Sequence, residues 1–493
     1  MPCPVWTVLL FACANRPGVP PIADAATAPP PVRPAHVVVR AWPLDSVVSL
    51  DGVVGTGGVE LDHPPGTVEL RVERRGFVTL SRPLDLADGG AVVEQVNLVG
   101  EPIGVDVVTH PAGADVTVHV GDLAATGVSP FHAEVPAGDV VVDVAMTGMT
   151  PERHARFADA GTSFDVWLDP AGAWLDLLRV FPTGKLPKAV AFTPDGKELW
   201  VTALDGPPSV IVHDAETGAR LADVDLSPHG AVEIAFAEGG KFAYVTQMET
   251  YKVFEIDTAT RAVTRSVAKV GKYPKIVITS PDESKLYVSN WHSDDVTEID
   301  RATMTVTRRF PTVHTPRGLW ATPDGRSLYV AGFGSGELAR IDLATGRSAT
   351  FSSVGANLRH IVSDGASLFV SDMGAARVRA YDLATGATRT LCKTDPNPNT
   401  EAISPDGRLV FVSSRGPNGS GGYLTSSSVP GSVTVCDAAT GDVVDHVIAG
   451  SQPTALAISV DGSRLVVSDF RDDQLRLYRV PAYERADAVM AAP

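Results

Sequence analysis

The sequence predicts an all-β protein: a seven-bladed β-propeller of four-stranded antiparallel blades over residues 174–481, preceded by two small β-sandwich-like modules. Three observations carry this. A turn-plus-strand phrase recurs as TPDGKELWV, AEGGKFAYV, SPDESKLYV, TPDGRSLYV, SDGASLFV, SPDGRLVFV and SVDGSRLVV, ending at Val201, Val245, Val288, Val330, Val370, Val412 and Val467. Successive spacings of 44, 43, 42, 40, 42 and 55 residues fit four short strands per blade. A second phrase, Asp-x-x-Thr, runs in phase at Asp214, Asp257, Asp300, Asp342, Asp382 and Asp437, and 45 Gly with 38 Pro suit short strands joined by many turns.

Each repeat therefore reads as an inner strand, an AspGly turn, a second strand, a loop, a third strand, the Asp-x-x-Thr turn and an outer strand. The Asp and Thr side chains are expected to satisfy turn backbone groups. Blade seven has room for three strands only before the 482–493 tail. Residues 174–181, WLDLLRVF, are expected to supply its fourth, so that the two ends of the propeller close the ring.

The repeats resemble the YVTN-type propeller family, most closely at LYVSN (286–290) and LYVAG (328–332). The resemblance covers about 305 residues and implies the fold. It does not choose among the lactonases, electron-transfer subunits and surface proteins that share it.

Upstream, alternating β-branched residues mark two β modules, 36–100 and 101–170. The second resembles the PEGA module of bacterial surface proteins through ProAlaGlyAla at 111–114, GlyValSerPro at 127–130 and ProAlaGly at 136–138; the first is a looser copy. The resemblance implies a spacer or wall-proximal adhesive unit. His36, His63, His110, His119, His132 and His154 show no metal-ligand spacing and read as surface or strand residues.

Residues 1–13 read as an export signal, because VWTVLLFAC is too short to span a bilayer, and 14–35 as a Pro/Ala-rich linker. LeuPheAlaCys at 10–13 resembles the lipobox of bacterial lipoproteins, which implies lipidation at Cys13; a cleaved or truncated ordinary signal and, last, a cytosolic N-terminus are the alternatives. The two export readings, which are preferred, place the protein in the periplasm or on the outer cell surface. The only membrane association expected is through that lipid.

A formal charge of −17 and a pI near 5.1 give no footprint for nucleic acid. Cys392 and Cys436 fall in separate strands without a CxxC or Cys/His cluster, so neither a zinc site nor a disulfide framework is expected. No GxSxG, Walker, HExxH or CxxCH motif occurs. No metal, cofactor or catalytic set is expected.

The expected function is recognition or scaffolding, with one propeller face binding a glycan, a peptide or a small anionic ligand. Just before the inner strands, beside the central channel, the repeats place Lys188, Lys275, Arg317 and Arg359; blade two offers Glu233, blade six Asn399 to Glu401 and blade seven Thr454. Such a cationic mouth in an acidic protein favours an anion, although solvation of the channel is the blander reading. Loops on the same face carry Tyr251, Trp291, His292, Phe333, Met373, Phe470 and Arg471, with aromatics suited to glycan or protein contact. Blade six has an insert, 415–431, read either as a channel lid or, with slight preference, as an inert extension. The alternative function is a lactonase-like hydrolase of a lactone or sugar ester, drawing on Glu233, His292, His314, His360 and Glu401.

Overall fold

A computed structural model describes residues 32–420 and 422–481. The signal-like segment with Cys13, most of the 14–35 linker and the tail 482–493 lie outside the described residues. No helix among the described residues is long and apolar enough to cross a membrane. Contacts divide the chain into two compact units, one ending at Leu98 and one beginning at Val99.

The first unit pairs a three-stranded sheet, Gly58–His63, Ala35–Trp42 and Ala91–Asn97, with a four-stranded one, Val53–Thr56, Val47–Leu50, Gly66–Glu73 and Leu80–Leu86. Period-two alternation turns Val37, Val39, Leu50, Leu70 and Val72 into its core. The second unit begins with the same strand order. Phe131–Pro136, Pro102–His110 and Thr162–Trp167 form three strands, and Leu123–Val128, Asp115–Val120, Gly138–Ala145 and Glu152–Ala158 form four.

The rest of the second unit is the propeller. Among the described residues, six separate four-stranded sheets run in chain order. A seventh set combines Pro453–Ile458, Arg464–Asp469 and Gln474–Arg479 with Asp176–Pro182. Asp176–Pro182 lies antiparallel to Gln474–Arg479, with Leu177 opposite Tyr478 and Phe181 opposite Leu475, so the ring closes between its two ends. The inner strands touch their neighbours in order, and the first, Pro187–Phe192, touches the last, Pro453–Ile458. Apolar clusters weld adjacent blades: Trp200 and Val212 of the first pack with Val245 and Phe254 of the second.

The turn phrases act as expected. Asp214, Asp257, Asp300, Asp342 and Asp382 each accept from both the backbone N–H and the hydroxyl of the Thr three residues on. Each turn thus satisfies its own polar groups.

One expectation is corrected. Cys392, on the outer strand of blade five (Thr388–Lys393), is disulfide-bonded to Cys436, on the third strand of blade six (Ser432–Asp437). Propeller closure brings together two cysteines that the sequence leaves in unrelated strands. The second module shares a sheet with the last blade. Its strand Glu152–Ala158 pairs with Asp176–Pro182 at His154 and Val180, extending the last blade into an eight-stranded sheet.

That junction buries charge. Arg476 Nε donates to Asp469 Oδ2 at 2.8 Å and its Nη1 to Glu152 Oε2 at 3.4 Å, while His154 Nε2 lies 2.7 Å from the same Glu152 oxygen. His154, read from sequence as a surface or strand residue, is a buried strand residue. Burial alone would raise the Glu152 pKa, but Arg476 and His154 hold it below its ordinary value.

Candidate functional site: a cation-lined central chamber

The site is built by two concentric sets of residues repeated blade by blade. The first set is the second residue of the inner strand: Lys188, Lys275, Arg317, Arg359, Asn399 and Thr454 follow Pro187, Pro274, Pro316, Leu358, Pro398 and Pro453. The residue before that strand takes a positive φ at Leu186, Tyr273, Thr315, Asn397 and Gln452, between 52° and 63°. In this sparsely populated region the chain turns sharply into the channel, at a cost of order 1 kcal/mol per residue. The carbonyls of Leu186, Tyr273, Thr315, Asn397 and Gln452 accept the N–H groups of Leu204, Trp291, Phe333, Arg415 and Phe470.

Those acceptances define the second set. The residue immediately after the second strand is Leu204, Met248, Trp291, Phe333, Met373, Arg415 or Phe470 in successive blades. This set covers the first. Lys188 Nζ lies 5.0 Å from the Phe470 ring centroid, Lys275 Nζ 5.2 Å and the Arg317 guanidinium 5.6 Å from that of Trp291, and Arg359 Nη1 lies 3.8 Å from Met373 Sδ. Phe333 backs Trp291, with ring centroids 5.0 Å apart.

Lys188, Arg317, Arg359 and Arg415 are 9%, 7%, 6% and 7% exposed, so they do not solvate the channel mouth. They lie within inner strands or directly after a second strand, not in the loops that the sequence suggested. Among the described residues none of these four, nor Lys275, forms an ion pair with a carboxylate. Burial, then the charges of Arg359, Arg317, Lys275 and Arg415, push the Lys188 ammonium well below the usual lysine range. Burial with Arg317 and Arg359 lowers Lys275 to about 7, and burial brings Arg317 and Arg415 down to about 10.

Beneath the cations lies a chamber of about 110 Å³. Lys188, Arg317, Glu233, His360, Asn399 and Thr400 supply its polar lining; Ala189, Val190, Val232, Ile276, Ala455 and Leu456 supply its apolar walls. Glu233 corrects the expected register. Its backbone N–H donates to Thr246 Oγ1 as that of Ala189 does to Thr202 Oγ1 and that of His360 to Ser371 Oγ, so Val232 occupies the lysine position of blade two. Glu233 still lines the chamber, one step deeper, and burial raises its pKa to about 7.

Glu401 stands behind His360, its carboxylate 3.4 Å from His360 Nδ1, and burial pushes its pKa well up. Burial lowers His360 to about 3, so the pair is neutral. The other hydrolase candidates do not join them. His292 is exposed and stacks on Tyr273, with centroids 4.3 Å apart, and His314 is exposed beside Asp294. No three His, Cys, Asp or Glu converge as metal ligands among the described residues.

The aromatic reading is corrected as well. Phe470 is fully buried, and Trp291 and Phe333 are partly buried on cations and on each other; only Tyr251 and His292 of that group are exposed. The blade-six insert, for which the inert reading was preferred, packs over the channel. Tyr423 lies 5.8 Å from Lys188 Nζ, 5.6 Å from the Arg415 guanidinium and 6.1 Å from the Phe470 ring. Gln452 Nε2 holds the insert by donating to Thr425 O at 2.8 Å, and Arg471 Nε approaches Ser426 Oγ at 3.4 Å. Tyr423 is the apolar tip that the sequence offered for a lid; Arg415 was missed because the insert was read by its length. Arg415 was legible as the residue following LVFVSS, in register with Trp291 and Phe470.

No protein-family model matches the sequence. Two solved structures share the fold. Hydrazine synthase of Kuenenia stuttgartiensis has a TM-score of 0.52 and 22% identity, with 60% of this chain and 96% of that one covered. The Cps50 (Swd1) β-propeller domain of Myceliophteria thermophila has a TM-score of 0.52 and 14% identity, covering 62% and 100%. Antigen Lp49 of Leptospira interrogans serogroup Icterohaemorrhagiae serovar copenhageni, strain Fiocruz L1-130, is 35% identical over 330 residues, covering 63% of this chain and 71% of that protein. On that likeness, the chain belongs to the family of Antigen Lp49.

Proposed function

We propose that this is an exported, surface-tethered recognition protein whose propeller binds an anionic ligand in its central chamber. The observation that carries the reading is the cluster of Lys188, Lys275, Arg317, Arg359 and Arg415, of which Lys188 and Arg317 line one cavity and none forms an ion pair with a carboxylate among the described residues. Buried charges are normally paired. A cluster of like charges on rigid strands in a protein of net charge −17 is a focused positive potential, to which an anion supplies the missing counter-charge.

Several features support the remainder of the reading. Relationship to a protein named as an antigen fits exposure at a cell surface, and the Cys392–Cys436 disulfide fits an oxidising compartment. The repeated strand order of the two N-terminal modules supports PEGA-type spacers, and the lipobox-like LeuPheAlaCys supports a lipid anchor at Cys13.

The test is thermal unfolding of the full chain across a series of phosphates, sulfates and carboxylates. Anion-dependent stabilisation is expected for the wild type and is abolished in Lys275→Ala/Arg317→Ala. An unfolding temperature indifferent to every anion overturns the reading. Mass spectrometry of the mature protein from a lipidating host decides the anchor: a diacylglyceryl mass at Cys13 is expected, and an unmodified Met1 removes it.

A further inference from the structure

The chamber carries charge of both signs, and the two are held apart. Lys188 and Arg317 line it, and their charged ends meet aromatic rings and donate no hydrogen bond among the described residues. Glu233, on the inner strand of blade two, lines the same space and keeps accessible surface there. The charges of Arg317, Lys188 and Arg359 all reach its carboxylate, yet none of them forms an ion pair with it among the described residues. Its Oε1 accepts the N–H of the adjacent Ile234 at 3.3 Å, and its Oε2 has no partner among the described residues. No other carboxylate among the described residues lines the chamber.

The open surface of the chamber is mainly polar. By the measure in which one water needs about 10–15 Å³, its 110 Å³ holds a tetrahedral oxyanion with room for a few waters. Donors and one acceptor around such a space discriminate among oxyanions by their protons. A fully ionised anion offers lone pairs alone, which the cations satisfy and a carboxylate repels. An oxyanion that still carries a proton satisfies both: its bare oxygens accept from Lys188 and Arg317, and its hydroxyl donates to Glu233 in a charge-assisted hydrogen bond. Inorganic phosphate keeps a proton throughout the neutral range and sulfate keeps none. A phosphate monoester loses its last one with a pKa of about 6.

We propose that the chamber selects an oxyanion that retains a proton, inorganic phosphate, with its bare oxygens on Lys188 and Arg317 and its hydroxyl on the Glu233 carboxylate, so that Glu233 sets specificity. The proposal rests on the anion reading of the same chamber and narrows it. The remaining charged and titratable groups around Glu233 do not share this role. Lys275, on the adjacent inner strand, and Arg359 are cations, and His360 is held neutral beside Glu401. Tyr423 and Phe470 lie over Lys188 and exclude water that would screen the charge.

Isothermal titration of the full chain with inorganic phosphate, methyl phosphate, sulfate and acetate separates the two claims. It is run at pH 8, above the value of about 7 to which burial raises Glu233. Methyl phosphate replaces the last proton of phosphate by a methyl group and so distinguishes the free ion from its esters. Phosphate is expected to bind about ten-fold or more tighter than sulfate or methyl phosphate, because its hydroxyl alone turns the Glu233 carboxylate from a repelling group into an acceptor. In Glu233→Gln, whose amide offers a donor as well as an acceptor, that preference is expected to fall below about two-fold. The fall comes through tighter binding of sulfate and methyl phosphate, a gain that a misfolded variant does not show. Sulfate or methyl phosphate binding the wild type as tightly as phosphate overturns the proposal, as does acetate binding tighter than all three, and in both cases the anion reading stands. A preference retained in Glu233→Gln overturns the role given to that side chain. Absence of binding by all four anions overturns both claims.

Discussion

Arg476 and Arg317 are both buried arginines on propeller strands of one unit, and their surroundings are opposite. Arg476 lies between Asp469 and Glu152, and its pKa is raised well above the ordinary value because those two carboxylates outweigh its burial. Arg317 has Trp291 for a neighbour, Lys188, Arg359 and Arg415 nearby and no ion-paired carboxylate, and burial lowers it to about 10 against the weaker opposing pull of Glu233. A buried cation whose partners come with the fold is a structural joint. One whose partner does not is a site, because the missing charge must come from solution.

The contrast is most sharply tested by removing each arginine. Arg476→Ala leaves Glu152 and Asp469 buried without their cation and is expected to cost about 3–5 kcal/mol in a denaturant titration. Arg317→Ala breaks no ion pair among the described residues and relieves repulsion among the cations, and its stability in the absence of anion is expected to equal or exceed that of the wild type. A comparable loss in both variants would erase the distinction.

Next in size is the disulfide. Cys392→Ser/Cys436→Ser opens a loop spanning a 44-residue separation and is expected to cost about 2–4 kcal/mol, seen as a lower unfolding midpoint that reductant no longer shifts. A midpoint equal to that of the oxidised wild type would show that blade packing alone holds that seam.

The ligand-linked effect follows. At an anion concentration a hundred times its dissociation constant, the wild type is expected to gain about 2.7 kcal/mol and Arg317→Ala nearly none. Anion-dependent shifts that survive in Arg317→Ala would place binding elsewhere.

The smallest effect is on pH dependence. Glu233 is raised from 4.5 to about 7, so the stability associated with its protonated form is present below pH 4.5 and lost as pH rises through about 7. Ionised Glu233 also repels a bound anion, so anion affinity should fall over the same range. Lys275, lowered from 10.5 to about 7, acts oppositely: its penalty holds below pH 7 and fades toward 10.5. Glu233→Gln is expected to flatten the fall in affinity between pH 6 and 8, measured by calorimetry. An unchanged slope would mean that another group titrates there.

Most of the fold was legible because propeller repeats write their turns in side chains. Asp214 with Thr217, or Asp382 with Thr385, makes bonds within four residues, so sequence spacing reports structure directly. The pairing of Leu177 with Tyr478 was legible from a missing fourth strand. The site was legible in part. Lys188, Lys275, Arg317 and Arg359 share a register, but Glu233 slipped by one residue because blade two lacks the proline that starts its neighbours' inner strands. The meeting of Glu152 with Arg476, across more than 300 residues of chain, left no local trace.

The sequence by itself determined the propeller repeat, the turns within it and the start of most inner strands, because these depend on bonds made within a few residues. Only the tertiary structure decided which buried charges find partners, that Cys392 meets Cys436, and that Tyr423 lies over Lys188. Those outcomes depend on the distance between segments far apart in the chain, which is set when the ring closes.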